Sequence, residues 1–64
     1  MGKSDIRTSR LVEIKLEIEN NGGLRSVLCE DDNEYFLSLD GCYTIEQMRK
    51  FVRLFEEYME VLYN

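Results

Sequence analysis

The residues of this 64-residue chain that could do chemistry are few and poorly placed to act together. Histidine is absent, which removes the commonest general base at neutral pH. Ser4 and Ser9 sit in a polar N-terminal stretch, and Ser26 and Ser38 fall at expected strand positions with no base beside them. Glycines adjoin only at Gly22-Gly23, inside an expected turn, so no loop is available to cradle phosphate. The run Asp31-Asp32-Asn33-Glu34 lacks the alternating ligands and central glycine of an EF-hand loop. Cys29 and Cys42 show no CxxC spacing, and without histidine a four-ligand zinc site has too few donors. One bridge between these cysteines is open geometrically, but two reduced thiols are the expectation. The chain is therefore expected to bind rather than to catalyse, with no cofactor and no metal.

Charge narrows the class of partner. Eight basic and 13 acidic residues give a net charge of −5. Lys3, Arg7 and Arg10 against Asp5 leave the first ten residues at +2 and the remainder at −7. A body that negative repels phosphate and anionic lipid, and suits partners with basic surfaces. No apolar run approaches the ~20 residues of a membrane span, and Ile6 stands where a myristoylation signal requires Ser or Thr. The expectation is a cytoplasmic protein with no membrane partner and no direct nucleic acid binding.

The elements that must position these groups read as a β-meander followed by a helix. Residues 1–10 lack periodicity and are expected to form a flexible arm. Val12, Ile14, Leu16 and Ile18 then alternate with Glu13, Lys15, Glu17 and Glu19, the period of a half-buried strand. Asn21-Gly22 supplies the two positive-φ positions of a type I′ hairpin turn into a second strand over about 24–30. In that register Leu16 faces Val27 and Ile14 faces Cys29; a three-residue loop would set Leu16 against Leu28 instead. Residues 30–34 read as a turn and Tyr35–Leu39 as a third strand.

The helix carries the clearest signature. Thr44-Ile45-Glu46-Gln47 is a capping box, flanked by Tyr43 and Met48 as a hydrophobic staple. Apolar residues from Ile45 to Leu62 recur at three- and four-residue steps, with no proline or glycine before Asn64. The expected fold is thus α+β: a three-stranded antiparallel meander with one C-terminal amphipathic helix on one face (βββα), residues 11–64 forming a single domain. Its inner face is expected to hold Val12, Ile14, Leu16, Ile18, Val27, Cys29, Leu37 and Leu39. Against them lie Met48, Phe51, Val52, Phe55, Met59 and Leu62.

Three features exceed what such a domain needs for itself. Leu54, Tyr58 and Val61 form a flank beyond the helix stripe, to be covered by the arm, a longer sheet, a second copy or a partner. On the polar face Arg49, Lys50 and Arg53 precede Glu56, Glu57 and Glu60, the reverse of what the helix dipole favours. Leu28 and Phe36 are expected side by side on the outer sheet face, ringed by Glu13, Glu17, Glu30 and Glu34. Glu13, Glu17, Glu30, Asp31, Asp32 and Glu34, with Glu56, Glu57 and Glu60 of the helix, are the expected partner-binding carboxylates, and Leu28, Phe36, Leu54, Tyr58 and Val61 the expected apolar interface.

In size, acidity and lack of catalytic groups the chain resembles the loose class of phage and mobile-element inhibitors, such as anti-CRISPR proteins and uracil-DNA glycosylase inhibitors. Many of these present carboxylates, as nucleic acid mimics, to a site built for nucleic acid. The resemblance implies a small inhibitor or adaptor that docks on a basic, nucleic-acid-handling surface of a partner protein. A homodimeric structural or regulatory subunit is the alternative, since a chain this short buries only about 60% of its unfolded surface. Single-strand binding by the sheet face is the third reading.

Overall fold

The computed structural model describes residues 3–63, with residues 3–5 described by their backbone alone. Helix α1 (Lys3–Asn21) leads into strand β1 (Ser26–Asp31), strand β2 (Glu34–Leu39) and helix α2 (Ile45–Tyr63). The architecture is αββα, not βββα. The sheet has two antiparallel strands, and the segment expected as a first strand is helical. The expected arm is helical from Lys3 onward; Met1 and Gly2 lie outside the described residues, as does Asn64.

The alternating run is ambiguous for a physical reason. Leu11, Ile14 and Ile18 also satisfy the three- and four-residue steps of a helix face, and Ile14 and Ile18 are fully buried in that role. Val12 and Leu16, which only a strand would turn inward, are exposed. Glu, Lys and Leu rank near the top of helix propensity, while Glu and Lys are depleted in strands, so the polar half of the pattern favours the helix.

The glycine pair ends α1 rather than turning a hairpin. Leu24 N–H donates to the Glu19 carbonyl at 2.8 Å and Gly23 N–H to that of Asn20 at 3.2 Å, with Gly23 at φ +60°. This is the Schellman motif, which needs a left-handed residue as much as a type I′ turn does. Gly22 is buried beneath it, beside Ser26, whose hydroxyl donates to the Ile18 carbonyl at 2.5 Å. The type I′ hairpin turn is formed instead by Asp32 and Asn33, at φ 47° and 67°.

Cross-strand pairing sets Ser26 opposite Leu39, Leu28 opposite Leu37 and Cys29 opposite Phe36. Leu28 therefore faces inward beside Leu37, and it does not neighbour Phe36 on the outer face. Val27 and Cys29, expected inside, take the outward side; Val27 is exposed and Cys29 half-buried. Both cysteines are free thiols.

The core consists of Ile14, Ile18, Leu28, Phe51 and Leu54, with Leu37, Leu39, Tyr43, Phe55, Tyr58 and Val61 packed around it. Against expectation, α2 is rotated about its axis so that Leu54 is central and Val52 and Met48 are exposed. The cause is α1: a second helix needs a partner face, and the flank of Leu54, Tyr58 and Val61 supplies it. The hairpin lies across this pair with β1 against α1, and the outer edge of β2 has no strand partner among the described residues.

Two polar clasps fix the helices. At one end Thr44 and Gln47 form the capping box, Thr44 N–H donating to Gln47 Oε1 at 2.8 Å and Gln47 N–H to Thr44 Oγ1 at 3.1 Å. Gln47 Nε2 also donates to the Asn21 carbonyl, and Asn21 Nδ2 to the Gln47 carbonyl, each at 3.0 Å. At the other end Arg7 Nε donates to the Val61 carbonyl at 2.8 Å, and Arg10 pairs with Glu13 and Glu57. The staple is altered: Tyr43 packs edge-on against Phe51, ring centroids 5.2 Å apart, and Met48 is left exposed.

Candidate protein-docking surface

The carboxylates expected to form one surface fall into three groups. Glu30, Asp31, Asp32 and Glu34 are gathered on the hairpin tip, all exposed, around the two-residue turn. Asp31 and Glu34 stand directly opposite each other. Like charges in that position destabilise a hairpin, so the tip carries a cost in stability.

Glu13 and Glu57 form the second group, drawn together by Arg10. One Arg10 cation is shared between the two carboxylates, so the trio keeps a net charge of −1. Arg7 and Arg10 also account for the reversed charge order of α2. An acidic C-terminal half opposes the helix dipole, and these two α1 cations supply what the last turn of α2 lacks. Glu17, Glu56 and Glu60 are exposed and form no ion pair among the described residues. Glu17 is on α1, apart from the other two.

The expected apolar interface also divides. Leu28 and Leu54 are 5% and 4% exposed and belong to the core, which removes them from any docking role. Tyr58 and Val61 are half-buried against that core. Phe36 is 48% exposed and does face outward. It lines a groove of about 400 Å³ between β2 and α2, with Tyr35, Leu37, Val52, Phe55 and Glu56. A second groove of about 350 Å³ continues past Val52 along α2, lined by Tyr43, Ile45, Met48 and Arg49.

This continuous apolar strip is the part of the surface that sequence reasoning placed inside. Ile45, Met48 and Val52 were legible as apolar stripe residues, but which side of the stripe met the core depended on the unrecognised α1. Tyr35 borders the strip, its ring 6.0 Å from that of Tyr58. Partial desolvation, then the negative field of Glu30 and the nearby Tyr58 and Tyr63 rings, pushes its phenol above the ordinary value.

The outer face of the two-stranded sheet offers Val27, Cys29, Phe36 and Ser38, with one aromatic ring and no lysine. Lys15 belongs to α1, where it lines a small cleft with Cys29, Glu30 and Tyr35. The stacking platform on which single-strand binding depended is therefore not formed. Among the described residues no three Cys, Asp or Glu side chains converge as a metal site, and no helix is long and apolar enough to cross a membrane. Comparison of the chain with protein families, with curated proteins and with solved structures gives no match.

Proposed function

We propose that this chain is a non-enzymatic protein-binding module that uses its acidic hairpin tip to dock on a basic surface of a nucleic-acid-handling protein, as an inhibitor or adaptor. The observation that carries this reading is the Asp31–Glu34 pair at the mouth of a two-residue turn, flanked by Glu30 and Asp32. Four carboxylates at one protruding point lower the stability of a hairpin whose isolated strands are already marginal. A recognition role accounts for keeping them there. A preformed turn also spares the ordering cost that a flexible acidic loop would incur on binding.

The reading is tested by affinity capture from the native host, comparing the wild type with the combined variant Asp31→Asn, Asp32→Asn, Glu34→Gln. The variant is expected to keep its fold, to gain slightly in thermal stability, and to lose the partner. The captured partner should carry a basic surface, and affinity should fall steeply as salt is raised. Equal capture by both proteins, or affinity that holds steady from low to high ionic strength, overturns it.

A further inference from the structure

The tip leaves the exposed strip on α2 unexplained, and a second feature of that helix indicates what covers it. Ile45, Met48, Val52, Phe55, Met59 and Leu62 are spaced 3-4-3-4-3, the a and d positions of a heptad pattern. Ile45, Met48 and Val52 are 72%, 41% and 54% exposed, and the remaining three are half-buried. This seam lies beside the face that α2 turns to the core, so one helix presents two apolar sides.

Charges on the flank of the seam set a direction. Arg49 and Glu56 are seven residues apart and occupy the same heptad position, e, each directly after a d residue, Met48 and Phe55. Neither is in an ion pair among the described residues. In a parallel pair each e position faces a g position of the partner, which here is Thr44, Phe51 or Tyr58, so Arg49 and Glu56 would find no opposite charge. In an antiparallel two-fold arrangement centred near Arg53, Arg49 of each copy meets Glu56 of the other. The two helix dipoles then also oppose each other favourably.

Area supports the same occupant. The accessible surface is 4983 Å², against about 4,300 Å² expected for a compact monomer of 7.6 kDa. The radius of gyration, 12.2 Å, likewise exceeds the roughly 10.7 Å expected for 64 residues. We infer that the Ile45–Leu62 seam of α2 pairs with the same seam of a second copy, antiparallel, with reciprocal Arg49–Glu56 contacts across the two-fold axis. This goes beyond the tip-docking reading and does not depend on it, since the tip and the seam use different residues.

The test is sedimentation equilibrium of the full chain and four variants across a wide concentration range, with circular dichroism to establish that each is folded. The wild type should be a dimer, and Val52→Glu a folded monomer. Arg49→Glu and Glu56→Arg should each weaken dimerisation roughly tenfold or more by setting like charges together. The double exchange R49E/E56R should restore it. A wild type that stays monomeric at every concentration overturns the proposal, as does a double exchange no better than the single ones. So does a monomer whose Val52→Glu form loses capture of the basic partner, because that outcome gives the seam to the partner instead.

Discussion

Gly22 shows how tightly the end of α1 is built. A Cβ at this position would stand 2.2 Å from Ser26 Oγ and 2.6 Å from Ser26 Cβ, with the Tyr43 hydroxyl at 3.1 Å. The side chain of Ser26 cannot turn away freely, because it is buried and its hydroxyl is committed to the Ile18 carbonyl. Gly22→Ala is therefore expected to cost about 1–3 kcal/mol, the usual range for forcing atoms into a packed site. Ser26→Ala should not rescue it, since the Cβ conflict persists; urea denaturation of the single and double variants measures both. Gly23 differs in kind. Nothing lies within 4 Å of its Cβ position, and its role is the positive φ of the helix cap. Two adjacent glycines thus answer two separate demands, one of space and one of backbone angle.

The helices depend on each other through Gln47, which both completes the cap of α2 and joins it to the last residue of α1. Gln47→Ala removes the acceptor for Thr44 N–H and the donor to the Asn21 carbonyl together. The expected loss is larger than for a simple cap deletion, about 1–2 kcal/mol, and Gln47→Glu should recover only the capping part. Thermal melts of the two variants distinguish these contributions. The start of α2 was fully legible in the sequence, because a capping box is a local signal that no tertiary partner has to complete. The same holds for β2 and its turn. The first element was not legible from its period, because Val12–Glu19 fits both; its Glu, Lys and Leu content leans to the helix, and the partner face of Leu54 and Tyr58 completes it. Misreading that element carried the misassignment of Leu28 and Leu54 with it. Glu30, Asp31, Asp32 and Glu34 stay together because they are sequence neighbours around the turn, whereas Glu13 and Glu57 are joined through Arg10, a link between α1 and α2 that sequence spacing gives no means to foresee.

For the molecule as a whole, five buried apolar side chains are a thin core for two 19-residue helices and a hairpin. A chain of this size holds only a few kcal/mol of net stability alone. If the α2 seam is paired, folding and assembly are linked, and the melting temperature should rise with protein concentration. A melting temperature independent of concentration over two orders of magnitude points to a monomer that is stable unaided. The free margin of β2 has a quieter consequence. Tyr35-Phe36-Leu37-Ser38-Leu39 is a short apolar stretch of the kind that recruits further chains side by side, and no lysine, proline or bulge interrupts it. Its only guards are Glu34 and Asp40, one carboxylate at either extremity. Freedom from fibril-like stacking in this small protein thus hangs on two negative charges, one of which also belongs to the tip that recognition would use.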